Sequence, residues 1–381
     1  MRHGLQFLPG GTALLLGLAV AAAGAERWLW IGTYAQRGSQ GIYAATFDTA
    51  TGRLGVPCLA AAAENASFLA LHPRLPCLYA VNETGRFEGH PVGAVRAFRL
   101  ATEGGGLTEL NRQPTGGAAP CHLAVDATGC QLVVANYSAG NVAVFPLGAD
   151  GSLNSLTQLV QHAGSGPNRR RQERPHAHGV TFSPANRVVF VPDLGLDRLL
   201  AYRFDPVRGA LAPSPDATGS LPPGSGPRHA AFHPDGTRLY VINELTSTVT
   251  TFAWEDAAER LQPLATVSAL PAGWTNASSA AELAVHPNGK FLYTSNRGHD
   301  SLTVFALDAR TRLPTAVQHV PCGGRAPRHF VLDPAGQWLL CAHQDSDTIA
   351  VFAVDPATGR LAPNGPTVAV PAPVCLLWRR D

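Results

Sequence analysis

The sequence is poor in charge, and lysine is almost missing from it. Only 15% of the 381 residues are charged, and the formal net charge is +2. This balance offers no electrostatic basis for binding nucleic acid or an anionic membrane surface. Lys290 is the single lysine, so arginine carries nearly all of the positive charge. We therefore expect no nucleic-acid partner, and the presence of an arginine is not in itself a sign of function.

Cysteine is too sparse and irregular to organise the chain. The seven cysteines cannot all pair within one chain, and their spacing matches no zinc-binding pattern. Cys77, Cys341 and Cys375 lie in apolar stretches, where a cysteine behaves as a small buried side chain. A Gly-x-Ser-x-Gly elbow is also missing, so a covalent serine mechanism has no support. The sequence predicts no metal site and no cofactor.

An apolar run lies near the N-terminus. A short, weakly basic start is followed by the apolar residues 12–23, and Ala23-Gly24-Ala25 before the polar Glu26 fits a cleavage site. The apolar run is too short to span a bilayer comfortably. We predict a signal peptide at residues 1–25 and a mature domain at residues 26–381. The protein is then exported, to the periplasm or the cell exterior, with no membrane attachment after cleavage.

A fifteen-residue phrase recurs six times in the chain. It consists of an apolar strand, a turn that usually carries Pro or Gly, a second apolar strand and a polar residue. The clearest copies are HAAFHPDGTRLYVIN from His229 and ELAVHPNGKFLYTSN from Glu282; the others begin at Phe68, His122, Gly179 and His329. Copies made of short strands that recur about every fifty residues are typical of propeller blades.

A third strand follows each phrase, and a fourth, less regular apolar stretch leads to the next copy. The third-strand element occurs seven times, first at Ile42–Leu54, where no phrase precedes it. The C-terminus has a spare apolar run at Val374–Trp378. We predict an all-β, seven-bladed β-propeller with four antiparallel strands per blade. Pairing of the N- and C-terminal strands in one blade would close the ring and remove its free edges.

The polar residues that flank the phrase are predicted to lie on one face of the ring. The first two strands of a blade form an antiparallel hairpin, so the start of the first strand and the end of the second lie at the same end. These flanking residues include His176 and His178, Arg228 with His229, Arg328, Asn82 with Glu83, Asn243 with Glu244, and Asn296 with Arg297. We expect this mouth to bind a small anionic or polyhydroxylated ligand.

At these residues the chain resembles a known family, the seven-bladed lactonases typified by one class of bacterial 6-phosphogluconolactonase. The fungal carboxy-cis,cis-muconate cyclizing enzyme belongs to the same group. The resemblance extends from Trp28 to Trp378 and is most specific in GSGPNRRRQERPHAHGVTFSP, residues 164–184. Further matching stretches are VPDLGLDRLLAYRFDP, GPRHAAFHPDGTRLYVINEL and LYTSNRG. The resemblance implies hydrolysis of a sugar-derived lactone, or the related opening and closing of a carboxylated lactone ring.

Carried over position by position, the resemblance also implies a site. The catalytic set would be His178 of PHAH, Arg228 of PRH, Glu244 of NE and Arg297 of NR. His176 is a near alternative to His178. The residues predicted to bind substrate around this set are His176, His229, Arg171, Asn243 and Arg328.

The chemistry of lactone opening suits these residue types. Glu244 could take a proton from water if burial raises its pKa. Arg228 and Arg297 could hold the developing oxyanion or a substrate anion. His178 could protonate the leaving oxygen, because histidine titrates near neutrality. The structural alternative is that Glu244 only forms a salt bridge with a neighbouring arginine and that the histidine bonds to backbone. His72, His233 and His286 precede proline in the hairpin turns and are predicted to be turn residues.

Three functions remain open from the sequence. The first is a cofactor-free lactone hydrolase, for which export favours unphosphorylated aldonolactones such as glucono-1,5-lactone over a cytoplasmic phosphorylated lactone. The second is a non-catalytic exported propeller that binds a ligand or partner through the same face. The third is a lactone-forming cyclase that acts on a muconate-type acid. The sequence does not define the oligomeric state.

Overall fold

Seven antiparallel sheets form the blades of a propeller. The computed structural model describes Met1, Gly4 and residues 26–380. The predicted signal peptide, residues 1–25, therefore lies outside the described residues except for Met1 and Gly4. In the described residues the only helical element is a 3-10 turn at Pro215–Ala217. No helix in this part of the chain is long and apolar enough to cross a membrane.

Blades 2 to 7 are sheets of four strands in chain order, whereas blade 1 takes its innermost strand from the end of the chain. The outermost strand is split in two in blades 1, 4 and 7. Blades 1 and 2 contain β1 (Glu26–Thr33), β2 (Gly41–Asp48), β3 (Arg53–Leu54), β4 (Cys58–Ala62), β5 (Leu69–Leu71), β6 (Cys77–Asn82), β7 (Ala94–Leu100) and β8 (Leu107–Pro114). Blades 3 and 4 contain β9 (Pro120–Val125), β10 (Gln131–Asn136), β11 (Asn141–Pro146), β12 (Gln158–Gln161), β13 (Thr181–Phe182), β14 (Val188–Asp193), β15 (Arg198–Asp205), β16 (Ala210–Pro213) and β17 (Gly219–Ser220). Blades 5 and 6 contain β18 (Pro227–Phe232), β19 (Arg238–Asn243), β20 (Thr248–Glu255), β21 (Arg260–Ser268), β22 (Ser279–Val285), β23 (Phe291–Arg297), β24 (Ser301–Leu307) and β25 (Pro314–Pro321). Blade 7 contains β26 (Pro327–Leu332), β27 (Trp338–His343), β28 (Thr348–Val354), β29 (Leu361–Pro363) and β30 (Val368–Ala369), and β31 (Pro373–Trp378) ends the chain.

The two ends of the described chain meet in blade 1, as predicted. Strand β31 pairs antiparallel with β1, so that Leu29 lies opposite Trp378 and Ile31 opposite Leu376. Strand β31 thus supplies the innermost strand that blade 1 lacks at its own start. This pairing closes the ring and confirms the seven-bladed architecture.

The core lies between blades. Seven clusters of buried apolar side chains occur in the described residues, one at each contact between adjacent blades. A blade is covered on both faces by its neighbours, so central strands such as β10 and β14 are buried along their whole length. This two-sided burial explains why the phrase reads as continuous apolar runs and lacks a strict alternation.

The predicted turn histidines also tie neighbouring blades together. The ring nitrogens Nε2 of His72, His233 and His286 lie 2.8 to 2.9 Å from glycine carbonyls in the next blade's equivalent turn. On the other side of each ring, Nδ1 accepts from a backbone N–H of its own turn. The prediction that these histidines are turn residues is confirmed, and their repeated position has a clear physical reason.

Candidate functional site

Backbone irregularities direct two arginines towards the ring axis. In β18 the pairing jumps from Pro227 to His229, which leaves Arg228 as the extra residue of a bulge. In β26 the same jump leaves Arg328 unpaired. Each bulge follows a proline and a left-handed residue, with φ of 62° at Gly226 and 54° at Ala326. Bulges of this kind re-aim a side chain, and here they direct guanidinium groups away from the blade.

Glu244 is the centre of the resulting cluster. It follows β19 and its side chain is only 5% exposed. Its Oε2 lies 3.0 Å from Arg297 Nη2 and 3.3 Å from Arg228 Nε. Its Oε1 accepts a hydrogen bond of 2.6 Å from Arg171 Nη2, and His178 Nε2 is 3.8 Å from Oε2. The structure therefore brings together all four residues of the predicted catalytic set, with Arg171.

Arg171 reaches Glu244 from the loop that carries the most specific sequence motif. The adjacent Gln172 is fully buried and holds this loop to blade 4, donating through Nε2 to Leu194 O and Asp197 Oδ1. The Arg171 side chain remains 39% exposed and also donates to Tyr137 Oη at 3.4 Å. Arg171 is thus a partly exposed cation beside the Glu244 carboxylate, and its contact with substrate stays a prediction.

The cluster reverses the expected electrostatics of Glu244. Burial alone would raise its pKa, but the charges of Arg297, Arg228 and Arg171 outweigh burial and lower the pKa to about 2. The expectation of a raised pKa is wrong, because the sequence did not show that three guanidinium groups share one carboxylate. Glu244 is a poor proton acceptor in this setting, and its carboxylate acts as the common anchor of the arginines.

The pKa of His178 also differs from the expectation. It is buried, and burial together with the charge of Arg228 holds its pKa well below the ordinary value of 6.5. It is therefore neutral near pH 7, and the expectation that it titrates near neutrality is wrong. Cys121 Sγ lies 3.7 Å from His178 Nδ1. Burial raises the pKa of the Cys121 thiol, so this pair lacks the thiolate that a cysteine nucleophile needs.

His176 lies beside the site and His229 lies deeper. His176 Nδ1 is 3.0 Å from Tyr137 O, and the two rings stack at 4.5 Å. His229 is buried on the ring axis, where Nδ1 is 3.0 Å from Glu282 Oε2 and the ring packs against His122. With 4% of its surface exposed, His229 is placed beneath the mouth and supports the cluster from below.

Asn243 does not reach the site. It is completely buried, and its Nδ2 donates to Thr248 Oγ1 and Thr250 Oγ1, each at 2.9 Å, inside blade 5. Asn136 and Asn296, at the same position of their repeats, likewise donate to side chains of their own blades, Asn141 Oδ1 and Ser301 Oγ, and in addition to the backbone carbonyls of Thr115 and Ala269. The prediction that Asn243 binds substrate is therefore corrected: this repeat position stabilises the blade.

A cavity of about 610 Å³ opens beside Arg297 and Arg328, between blades 6 and 7. Arg37 and Arg325 also line it. Arg297 is 18% exposed and donates to Ala280 O at 3.0 Å in addition to its Glu244 contact. The arginine-rich lining makes this cavity suited to an anionic or oxygen-rich ligand.

The sequence places a further carboxylate, Glu83, among the polar residues of the mouth, but no role was assigned to it there. It follows β6 in blade 2, which is the position that Glu244 holds after β19 in blade 5. Its Oε2 accepts hydrogen bonds from Tyr34 Oη (2.9 Å) and Ser67 Oγ (2.5 Å). The signal was present, because Asn82-Glu83 repeats the Asn-Glu pair at the end of the phrase.

Comparison with known proteins agrees with this architecture. The chain is 37% identical over 347 residues to the 6-phosphogluconolactonase of Bacillus subtilis, covering 91% of this chain and 97% of that protein. It is 32% identical over 312 residues to the 6-phosphogluconolactonase of Formosa agariphila, covering 81% and 86%. Among solved structures, the periplasmic gluconolactonase of Pseudomonas aeruginosa superposes with a TM-score of 0.87 at 35% identity, covering 93% and 99%.

A family model for the seven-bladed β-propeller lactonases matches residues 28–378. This range is nearly the whole described propeller, and its first and last residues lie in β1 and β31, the two strands that close the ring. The chain therefore belongs to the seven-bladed β-propeller lactonase family.

Proposed function

We propose that this lactonase hydrolyses a sugar-derived lactone at the mouth of the propeller. The observation that carries the proposal is the cluster in which Arg171, Arg228 and Arg297 converge on Glu244 beside the cavity that Arg297 and Arg328 line. Lactone opening develops negative charge on the former carbonyl oxygen, and fixed guanidinium groups stabilise such charge without reorganising.

The residues of the cluster differ in solvent exposure, and this difference indicates which of them can contact a substrate. Arg171 and Arg297 are 39% and 18% exposed and can contact substrate directly. Arg228 and Glu244 are 4% and 5% exposed, so they hold the outer guanidinium groups in place. His178 is neutral at this position, with its Nε2 3.8 Å from Glu244 Oε2, so it adds no charge to the cluster. In this arrangement Glu244 positions the arginines, and the acid–base work falls to another group.

The substrate class follows from the relatives and the charge of the site. The Bacillus subtilis relative is a 6-phosphogluconolactonase and the Pseudomonas aeruginosa neighbour is a periplasmic gluconolactonase. An arginine-rich cavity accommodates either a phosphorylated lactone or the product carboxylate of an unphosphorylated one. Together with the predicted signal peptide, these features favour an exported enzyme that acts on unphosphorylated aldonolactones.

The test is acid release by the purified protein from glucono-1,5-lactone and from its 6-phosphate, each corrected for spontaneous opening. We expect acceleration of both and a higher kcat/KM for the unphosphorylated lactone. Acceleration of the phosphorylated lactone alone would reject the proposed substrate. A folded sample that accelerates neither would reject hydrolysis and leave a binding propeller or a muconate-type cyclase.

A further inference from the structure

A second carboxylate at the mouth is free of the arginine cluster. Glu83 is half-buried, and both of its side-chain hydrogen-bond partners, Tyr34 Oη and Ser67 Oγ, are neutral hydroxyl groups. Both bonds are made to Oε2, which fixes the orientation of the carboxylate and leaves Oε1 as the oxygen without a hydrogen bond in the described structure.

Glu83 and Glu244 are therefore chemically different although the repeat places them alike. Glu244 is almost fully buried, and three guanidinium groups compensate its charge. Glu83 is more accessible and forms no ion pair in residues 26–380. A carboxylate held by neutral donors keeps its lone pairs available to a water molecule, whereas one clamped by cations does not.

Arg328 links Glu83 to the cavity. Its guanidinium carbon lies 5.1 Å from the centroid of the Tyr34 ring, and the hydroxyl of that ring donates to Glu83. Arg328 also lines the cavity beside Arg297. Within the described part of the chain Arg328 forms no ion pair, so its charge is available to a ligand.

We propose that Glu83 is the general base of lactone hydrolysis and that Arg328 holds the oxyanion that forms. This inference rests on the proposed lactonase function and adds a catalytic residue to it. The carboxylate, the oriented hydroxyl groups of Tyr34 and Ser67, and the unpaired guanidinium lie together on one side of the mouth. They supply the base that the Glu244 cluster lacks, and a further anion-stabilising group beside Arg297.

The reaction balances with these two groups. Glu83 takes a proton from water while the water oxygen bonds to the lactone carbonyl carbon, and the carbonyl electron pair moves onto its oxygen opposite Arg328. Collapse of this tetrahedral intermediate breaks the bond from the carbon to the ring oxygen. The proton on Glu83 passes to that ring oxygen, which restores the carboxylate and gives the open hydroxy acid. No oxidant, metal or co-substrate is required.

The dependence of kcat on pH tests the role of Glu83 as general base. The groups that face Glu83 are Tyr34, Ser67, Arg328 and the buried Cys121. Burial raises the pKa values of the Tyr34 hydroxyl and the Cys121 thiol, so neither loses its proton in the acid range. A fall of kcat at acid pH that disappears when the Glu83 carboxylate is removed therefore does not arise from these neighbours.

The experiment compares the wild type with Glu83→Gln and Glu83→Ala in the full chain. Glu83→Gln keeps the shape and an oxygen for Tyr34 and Ser67, and we expect it to lower kcat by about 10²–10⁴-fold with KM nearly unchanged. The residual kcat of Glu83→Gln should lack the fall at acid pH that the wild type shows. Added formate should restore activity to Glu83→Ala, because a small carboxylate can occupy the space left by the side chain. Glu103→Gln, an exposed glutamate of the same blade, is the matched control.

Each contrary result has a distinct meaning. Wild-type kcat in Glu83→Gln overturns the inference while lactone hydrolysis by the wild type upholds the proposed function. A raised KM at unchanged kcat would show that Glu83 only binds substrate. A lower kcat with an intact acid limb and no rescue by formate would show that Glu83 only positions other groups. Either result overturns the assignment of Glu83 as the general base. A wild type that hydrolyses no lactone overturns the proposed function itself. Circular dichroism of each variant separates these outcomes from misfolding.

Discussion

Glu83 and Glu244 occupy the same position of the repeat, one residue beyond the second strand of blades 2 and 5. Glu83 accepts from two hydroxyl groups, whereas Glu244 pairs with three arginines. Blade geometry alone brings both carboxylates to the mouth, and the neighbours decide their chemistry. This division leads us to expect that changes at the arginine cluster and at Glu83 affect activity in different ways.

Arg297→Ala should lower kcat/KM for the lactone substrate by about 10²–10³-fold, because it removes a partly exposed guanidinium that faces the developing charge. Arg297→Lys should recover only part of the loss, since an ammonium group cannot reproduce the planar fork. Initial rates of acid release across a range of substrate concentrations give these values.

The control for Arg297 is Arg310→Ala, which removes an exposed arginine from a turn of the same blade. Its kcat/KM should equal that of the wild type. If Arg297→Ala retained wild-type kcat/KM, the arginine cluster would not take part in the reaction.

The sequence was sufficient to predict the architecture, because the repeat encodes it directly. The recurring phrase identified the hairpins of blades 2 to 7, and the unpaired apolar run at Val374–Trp378 identified ring closure through β31. The turn histidines were recognisable for the same reason, because a histidine that recurs before proline in three of the hairpin turns serves the turn. His233 indeed bonds to Gly289 O of the next blade.

The chemistry of the site was less accessible to sequence reasoning. Proximity of Glu244 and arginines followed from the repeat, but the direction of a pKa shift depends on how many charges surround one carboxylate and how deeply it is buried. Asn243 was misassigned because adjacent residues at the end of a strand point to opposite sides, one into the blade and one into the mouth. Glu83 was placed at the mouth by the repeat but received no role, because the family motifs that guided the assignment lie in other blades.

Glu244→Gln should destabilise the fold by about 3–5 kcal/mol at neutral pH, because it leaves a buried arginine cluster without its counter-charge. Urea unfolding followed by tryptophan fluorescence measures the change. Glu255→Gln removes a glutamate of an exposed ion pair with Arg260 and should cost much less. Equal costs for the two variants would show that the buried cluster contributes no more than a surface pair.

The stability contributed by Glu244 should disappear at acid pH. Its pKa in the folded protein is about 2, below the ordinary 4.5, so this stability is fully present above about pH 4.5 and is lost as the pH falls towards 2. The difference in unfolding free energy between the wild type and Glu244→Gln should therefore shrink by about 3 kcal/mol over this interval. A difference that is constant from pH 6 to pH 2.5 would contradict the lowered pKa.

His233→Ala should destabilise the propeller without impairing the chemistry. The substitution removes the bond from His233 to Gly289 O and leaves that carbonyl without its partner between blades 5 and 6, at a cost of about 1–3 kcal/mol. Thermal unfolding measures the loss, and kcat of the folded fraction should be unchanged. His90→Ala, at an exposed loop position, should unfold like the wild type. A large loss of kcat in His233→Ala would indicate that the turn communicates with the mouth.

Deletion of residues 373–381 should abolish the native fold, because β31 is the innermost strand of blade 1. Without it, the edge of β1 loses its pairing partner and the buried cluster around Leu29 and Leu340 loses Leu376 and Trp378. An unpaired apolar edge next to an exposed core promotes aggregation. Size-exclusion chromatography and chemical unfolding test this, with removal of only Arg380 and Asp381 as the control. A monomeric deletion variant that unfolds as cooperatively as the wild type would show that the ring is stable without β31.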